Sequence, residues 1–231
     1  MSSLNNEQKK AAEFLHGIAA VIAVPGSGKT RTMMERIGIL VKHHKVPPEN
    51  ILGLTFTKNS ASEMKQRLIP VLGDIASRVM LSTIHSFCHY LLRSEGMVFE
   101  ILSGKDQIVF LRNIMKHRRL KDISIGMVLR EISLAKNNLI EVDEFRSLYE
   151  GDKTMLKVAD IYESYDVEKQ KKYLMDFDDL LVETHRLLTD HPGIREKYTG
   201  RYLHLLVDEY QDTNPIQVEV LKQLINGSDN G

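Results

Sequence analysis

The octapeptide Ala-Val-Pro-Gly-Ser-Gly-Lys-Thr, at residues 23–30, constrains the fold of this chain more than any other stretch. It has the spacing of a phosphate-binding P-loop, with alanine in place of the usual leading glycine. Gly26 and Gly28 allow backbone N–H groups to turn toward phosphate oxygens without a Cβ in the way. Lys29 can reach the β- and γ-phosphates, and the Thr30 hydroxyl can ligate Mg²⁺. Taken alone, the octapeptide could also be a Gly-Ser turn that happens to precede a lysine. The predicted nucleotide-binding residues of this stretch are Ala23, Val24, Pro25, Gly26, Ser27, Gly28, Lys29 and Thr30.

The residues around the octapeptide favour the nucleotide site, because a P-loop joins a buried strand to a helix. The short apolar run Ala19–Ile22 predicts a buried strand before the loop. After the loop, Met33, Ile37 and Leu40 recur at helical spacing. The first turn of that helix would present unpaired N–H groups and the positive end of its dipole to an anion.

Composition predicts a soluble globular chain, since 42% of its 231 residues are hydrophobic and 27% are charged. Lys plus Arg and Asp plus Glu are equal at 31 each, so a nucleic-acid partner would need a local basic patch. The single cysteine, Cys88, excludes an internal disulfide framework and is typical of a reducing compartment. The N-terminus is polar and no apolar run approaches membrane-spanning length. We therefore expect a cytoplasmic protein with no membrane partner.

The distribution of apolar runs predicts an α/β fold. Near-continuous apolar runs, as in a parallel sheet covered on both faces, occur at 51–56, 78–81 and 203–207. From about residue 96 to 172 the strand signals stop and helical periodicity takes over. The simplest architecture is a parallel sheet flanked by helices and interrupted by an all-helical insertion. The predicted domains are 1–95, the insertion 96–172, and the continuation of the first domain at 173–231.

Two adjacent carboxylates follow the last predicted strand. Ligands of an open parallel sheet bind at the carboxyl ends of its strands, so Asp208 and Glu209 should face the P-loop. Asp208 would hold Mg²⁺ together with Thr30, and Glu209 would orient or deprotonate the attacking water. A solvated acidic strand end is the alternative for these two residues alone. No Asn-Lys-x-Asp motif for guanine is present, which disfavours a GTPase.

Four further stretches follow the octapeptide in a fixed order: Leu54–Thr57, Ser82–Phe87, Met175–Leu181 and Val207–Asn214. The five stretches resemble the motifs of UvrD/Rep-type superfamily 1 DNA helicases, and Leu4–Gln8 resembles the adenine-reading Q motif of that family. The similarity runs from residue 4 to about 217, and five motifs in order are far more specific than any one. It implies a P-loop NTPase of RecA-like fold, with the helical insertion as the family's inserted subdomain.

The resemblance also implies roles for individual residues, with ATP and Mg²⁺ as cofactors. Gln8 would read the adenine edge, Arg31 would lie beside the nucleotide, and Gln211 would couple the nucleotide to a neighbouring domain. The residues implied to line a single-stranded DNA track are Thr55, Phe56, Thr83 and His85. From the residues alone, a core position for Phe56 and a structural helix-start role for His85 are the stronger alternatives.

Two departures from the family pattern stand out. The chain has Thr57-Lys58-Asn59 where the family usually has Thr-Asn-Lys, which leaves the DNA contacts there open. The family's next motif and its second RecA-like domain have no counterpart in the 231 residues. We therefore expect an N-terminal, monomeric portion of a longer helicase, with partners in its own further domains and in single-stranded DNA and single-strand/duplex junctions. Such a helicase would move 3′–5′.

Three functions compete. The first is the ATP-binding part of a DNA translocase, and the second is a small P-loop kinase, which does not account for the later motifs. The third is a non-motor module that binds ATP without turnover and contacts DNA or a partner protein. Basic runs at 116–121 and 169–172 are either solvated helix ends or contacts to a duplex backbone.

Overall fold

The computed structural model describes residues 4–15, 17–24, 26–118 and 122–225. Within these ranges the strands are β1 (Ile51–Thr55), β2 (Met80–Thr83), β3 (Glu100–Ile101), β4 (Leu174–Met175) and β5 (His204–Val207). The helices there are α1 (Asn6–Glu13), α2 (Lys29–Lys42), α3 (Lys58–Leu72), α4 (Ile84–Ser94), α5 (Gly104–His117), α6 (Ile125–Asn137), α7 (Val142–Leu148), α8 (Lys153–Lys171), α9 (Phe177–Asp190), α10 (Pro192–Arg201) and α11 (Pro215–Ile225). None of these described helices combines the length and the hydropathy that crossing a bilayer requires.

The described residues divide into two compact units. The first takes its residues from 1–84, 193–213 and 224–231, and the second from 85–192 and 214–223. The predicted domain limits near residues 95 and 172 stay predictions.

The first unit is built on a parallel sheet with strand order β2-β1-β5. All five residues of β1 are buried, as expected for a central parallel strand covered on both faces. One face of the sheet packs against α2 and α3. The buried residues of this core are Met34, Ile37, Leu40, Val41, Ile51, Met64, Leu68, Leu72, Ala76, Val79, Leu81 and Leu206. The parallel α/β character predicted from the sequence is confirmed.

The predicted strand at Ala19–Ile22 is wrong. Residues 17–24 contain no strand, and the Ile22 side chain is 97% exposed. Within the described ranges the sheet of this unit has three strands, all of them later in the chain. An apolar run predicts burial, but a strand also needs a partner for its backbone N–H and C=O groups. Hydrophobicity alone does not specify that partner.

The second unit contains a helical cluster formed by α5, α6, α7 and α8. Its core combines aliphatic residues with three aromatic side chains, Phe145, Tyr162 and Tyr165. The predicted all-helical segment also contains β3, which pairs in parallel with β4. A pair of two-residue strands is too short to show the alternation from which strands are predicted. That this helical cluster is an inserted subdomain remains a prediction.

Candidate functional site: a P-loop beside two carboxylates

The predicted P-loop forms the turn that enters α2. Gly26 and Gly28 have φ of 78° and 87°, in the left-handed region that favours glycine. Gly28 is the N-cap of α2, and its carbonyl accepts a hydrogen bond from the Thr32 N–H at 2.9 Å. Ala23 is half-buried and Val24 is exposed, while Pro25 lies outside the described residues. The loop therefore has the backbone conformation that its glycines were expected to allow.

Gln8 connects α1 to the P-loop. Its Oε1 accepts a hydrogen bond from the Asn5 N–H at 2.9 Å in a capping box, and its Nε2 donates to the Ser27 carbonyl at 2.8 Å. A Cβ on Gly28 would lie 3.1 Å from that same Nε2. Gln8 thus lies against the loop, as a nucleotide-reading residue must. Both ends of its amide are already engaged.

Thr30 and Asp208 join the two halves of the predicted nucleotide site. Thr30 lies in the first turn of α2, and its Oγ1 donates to Asp208 Oδ2 at 3.1 Å, across 178 positions of sequence. Asp208 follows β5 directly, and its N–H donates to the Leu54 carbonyl of β1 at 2.8 Å. Asp208 therefore lies at the carboxyl end of its strand, with its side chain against the first turn of the P-loop helix.

Glu209 extends the site toward the P-loop lysine. Its Oε2 lies 4.0 Å from Lys29 Nζ and accepts a hydrogen bond from the Gln211 amide. Lys29 Nζ also donates to the Ala23 carbonyl at 3.5 Å. Glu209 has φ of 54°, a left-handed conformation that is uncommon for a residue with a Cβ and is concentrated at functional sites. Lys29, Glu209 and Gln211 thus form one connected polar group.

The residues of this site fit a magnesium nucleotide. Lys29, Thr30 and Arg31 occupy the first turn of α2, where N–H groups lack helical partners and favour an anion. The Ser27 Oγ atom is buried without a hydrogen-bond partner in the structure, as expected for a loop atom that would face a bound phosphate. No group of three or more His, Cys, Asp or Glu side chains that could hold a metal ion occurs in the part of the chain that the structure describes. Mg²⁺ does not need one, because it is usually held by one or two protein groups plus phosphates and waters.

The residues expected on the DNA track fall into different environments. Thr55 and Thr83 end β1 and β2, face each other in register, and are buried. Phe56, the next residue after β1, is 49% exposed, so the core alternative does not describe it. Their DNA contacts stay predictions.

His85 belongs to the second unit, near the start of α4. Its ring lies edge-on to Phe177, with centroids 6.3 Å apart. Burial lowers the pKa of His85, and the carboxylate of Asp178 opposes that shift. His85 is therefore a neutral, half-buried ring at physiological pH.

Sequence reasoning missed a buried ionic cluster in the second unit. Lys136 of α6 and Lys169 of α8 have side chains only 3% and 2% exposed. Lys136 donates to Asp166 at 2.8 Å and to Asp179, and Lys169 donates to Asp176 at 2.8 Å and to Asp179. Asp176 and Asp179 also form the capping box of α9, so the lysines fix the start of that helix. The close spacing of acids in Met175–Leu181 was the only signal of this cluster, because nothing in the sequence indicated that Lys136, about 40 residues earlier, would be buried against them.

In this cluster, burial and the neighbouring charges shift the pKa values of the side chains in opposite directions. Burial disfavours the charged form of Lys136, but the carboxylates of Asp179, Asp176 and Asp166 outweigh it and raise the pKa of Lys136. Burial likewise disfavours ionised Asp176, but Lys136 and Lys169 hold the pKa of that carboxyl well below its usual range. Lys136 and Asp176 therefore carry opposite charges in the folded chain. For Lys169, both alternatives considered from the sequence, a solvated helix end and a duplex contact, are wrong.

The comparisons with known proteins agree with this geometry. Residues 4–230 match the family model described as the UvrD/REP helicase N-terminal domain. The chain is 38% identical over 232 residues to the ATP-dependent DNA helicase PcrA of Bacillus subtilis strain 168, covering 97% of this chain and 31% of that protein. It is 33% identical to proteins of the same name from Staphylococcus aureus strain Mu50 and Staphylococcus epidermidis strain ATCC 35984, covering 97% and 98% of this chain and 32% of each.

The chain thus spans about a third of the length of the curated relatives it matches. The match to the family model covers nearly every residue of this chain. It includes the P-loop, the acidic strand end and the stretches between them. On this evidence the chain belongs to the UvrD/REP helicase N-terminal domain family.

Proposed function

We propose that this chain is the ATP-binding portion of an ATP-dependent DNA helicase, which couples ATP hydrolysis to 3′–5′ movement on single-stranded DNA and to duplex unwinding. The observation that carries the proposal is the hydrogen bond from Thr30 to Asp208. It joins the loop that we propose binds phosphate to the carboxylate that we propose binds Mg²⁺. The PcrA relatives, named as ATP-dependent DNA helicases, support the choice of reaction.

Each residue of the site has a distinct task in this proposal. Lys29 and the N–H groups of the loop and of the first turn of α2 bind the phosphates. Thr30 and Asp208 would hold Mg²⁺, which when bound neutralises charge on the β- and γ-phosphates. Glu209 accepts the proton of the attacking water, and Gln211 holds the Glu209 carboxylate by its amide. The contact with Lys29 keeps Glu209 beside the lysine that would bind the γ-phosphate.

Gln8 would read the adenine base, because it already contacts the loop at Ser27. Each of its two hydrogen bonds uses one lone pair or one N–H of the amide, so a second lone pair and a second N–H remain for the adenine edge. Arg31, also in the first turn of α2, would lie beside the nucleotide.

The DNA partner is single-stranded DNA, with single-strand/duplex junctions as the substrate of unwinding. Phe56 would stack on a base, a sequence-tolerant contact that its half-exposed ring permits. Thr83 and His85 would lie along the same strand of DNA. Further domains of a longer parent would complete this track, with residues 1–95 and 173–231 as the first RecA-like domain and 96–172 as its insertion.

The rate of hydrolysis by these 231 residues alone should be low. In phosphoryl transfer an arginine supplied from across a cleft accelerates the reaction by on the order of 10³ to 10⁵. The family resemblance places such arginines in a second RecA-like domain, which has no counterpart in this sequence. We expect the monomeric chain to bind Mg-nucleotide modestly, bind DNA weakly, hydrolyse ATP very slowly and unwind nothing.

The test is steady-state ATP hydrolysis with and without single-stranded DNA, beside a strand-displacement assay, for the 231 residues and for a parent that includes a second domain. DNA-stimulated hydrolysis and unwinding by the parent alone would support the proposal. Robust stimulated turnover by the 231 residues would show that one domain completes the site. ATP binding without turnover in the parent would instead identify a non-motor, nucleotide-gated module.

A further inference from the structure

Thr55, the last residue of β1, has a buried hydroxyl without a partner. Its side chain is 1% exposed, and no group in the described residues forms a hydrogen bond with its Oγ1. Buried hydroxyl groups are nearly always hydrogen-bonded in native structures. Valine would fill the same space without the unsatisfied oxygen. The Thr55 hydroxyl therefore has an unused hydrogen-bonding capacity that a bound ligand would satisfy.

The alternation of side chains shows which face of the sheet Thr55 occupies. Ile51, Gly53 and Thr55 lie on one face, because successive side chains of a strand point to opposite faces. Ile51 belongs to the core formed with α2 and α3. A Cβ on Gly53 would lie 3.4 Å from the methyl carbon of Met33, a residue of α2. Thr55 is therefore on the face covered by α2, the helix that carries the P-loop lysine and threonine.

The register places Thr55 beside Asp208. Leu54 pairs with Val207, and the Asp208 N–H continues the ladder by donating to the Leu54 carbonyl at 2.8 Å. The next pair along the two strands is Thr55 and Asp208, on backbones about 4.8 Å apart. Asp208 bonds Thr30 of α2, so its carboxylate is on the same face as the Thr55 hydroxyl.

We infer that Thr55 is a positioning residue of the metal–phosphate site and not a DNA contact. Mg²⁺ keeps several of its waters when it binds through one or two protein groups. A metal-bound water is a strong donor whose two hydrogens both need acceptors. Asp208 accepts one and the Thr55 Oγ1 accepts the other, so the hydroxyl fixes the water that links the metal to the carboxylate. The inference rests on the proposed function and replaces the sequence-based expectation for Thr55.

The experiment measures the Mg²⁺ dependence of binding of a fluorescent ADP analogue to the 231-residue chain. Groups that orient the ligands of a metal contribute about 10- to 100-fold to its affinity. Thr55→Val, which keeps the shape and removes the hydroxyl, should raise the Mg²⁺ concentration at half-maximal binding by about tenfold or more. Binding of the analogue without Mg²⁺, and binding of single-stranded DNA, should not change.

Two companion variants separate this role from packing. Thr55→Ser keeps the hydroxyl and should retain the parent's Mg²⁺ midpoint. Thr184→Val makes the same change at a fully buried threonine of α9 and should also leave the midpoint unchanged. An unchanged midpoint in Thr55→Val overturns the inference, as does a shifted midpoint in Thr55→Ser. Weaker DNA binding by Thr55→Val with a normal Mg²⁺ midpoint would show that Thr55 contributes to DNA binding instead. A parent without Mg²⁺-dependent nucleotide binding contradicts the proposed function itself.

Discussion

The ammonium group of Lys29 lies 4.0 Å from Oε2 of Glu209, so the cation expected to bind phosphate and the carboxylate expected to activate water are already neighbours. A γ-phosphate bound by Lys29 would therefore lie close to the base that acts on it. Phosphate binding by Lys29 and activation of water by Glu209 are therefore expected at adjacent groups. Substitution of one residue at a time should separate the two functions.

Lys29→Ala should lower the affinity for Mg-ATP by at least tenfold, equivalent to about 1.4 kcal/mol, because it removes the point charge at the β- and γ-phosphates. The fold should persist, since Lys29 is on a partly exposed first turn. Calorimetric titration with Mg-ATP measures the effect. Lys42→Ala, in the exposed last turn of the same helix, is the matched control and should bind like the parent. Parent-like binding by Lys29→Ala would show that the P-loop assignment is wrong.

Glu209→Gln in a full-length parent should keep Mg-ATP binding and lower kcat by about 10² to 10⁴, the usual contribution of a general base. The amide preserves shape and removes basicity, so binding and turnover should separate. The measurement pairs calorimetry with steady-state hydrolysis in the presence of single-stranded DNA. Glu219→Gln, on α11 where Glu219 pairs with Lys222, controls for the loss of one carboxylate. Normal turnover in Glu209→Gln would assign the base to another residue.

Lys136→Ala should destabilise the second unit by about 3–5 kcal/mol, the cost of removing one partner from a buried ionic group. Asp166, Asp176 and Asp179 would then share Lys169 alone. Urea unfolding followed by circular dichroism measures the free energy of unfolding. Lys171→Ala, which removes an exposed lysine paired with Glu168, should have little effect. Equal stability of the two variants would refute a structural role for the cluster.

Stability should fall steeply below about pH 4. The pKa of Asp176 in the folded chain lies below its ordinary value of 3.8, so its contribution is present above that value and is lost as the pH falls toward the folded pKa. Burial raises the pKa of Asp178 and of Glu183, so their protonation acts in the opposite direction and adds stability as the pH falls through these raised pKa values. Thermal unfolding of the parent and of Asp176→Asn between pH 7 and 2 tests this. Asp176→Asn should be less stable than the parent at neutral pH. Its stability should also fall less than that of the parent as the pH is lowered.

Gly53→Ala should destabilise the first unit by roughly 1–3 kcal/mol through overpacking. Its Cβ would lie 2.4 Å from Cδ2 of Leu81 and 3.4 Å from the methyl carbon of Met33. Gly126→Ala is the contrasting control, because the Cβ would enter open space in the first turn of α6 and should be neutral or stabilising by up to about 1 kcal/mol. Of the two variants, only Gly53→Ala should therefore lower the free energy of unfolding. A Gly53→Ala protein as stable as the parent would show that β1 and its neighbours can separate to admit a methyl group.

Local chemistry explains what the sequence predicted well. Gly26, Gly28 and the residues of the first turn of α2 are constrained by their own backbone, so a short motif is enough to place them. The meeting of Thr30 with Asp208 followed from a general property of parallel sheets, and needed no contact information.

The predictions that were wrong share a different cause. A local sequence pattern does not show which other residues of the chain will contact it. Ala19–Ile22 has strand-like composition, yet composition does not supply a neighbouring backbone. Lys169 lies in a run of cations typical of a solvated helix end, yet its side chain is buried and pairs with Asp166, Asp176 and Asp179.

The order of strands in the sheet has a consequence for synthesis on the ribosome. β1 and β2 leave the ribosome early, but β5, the other neighbour of β1, follows about 120 residues later. At a synthesis rate of about 5–20 residues per second, one edge of β1 stays unpaired for about 6 to 24 seconds until β5 has been synthesised. The helices α5 to α8 are complete within that interval, and their mostly local contacts allow them to fold first. The nascent chain is therefore most vulnerable to aggregation at β1, and a chaperone that binds extended apolar segments should find its site there.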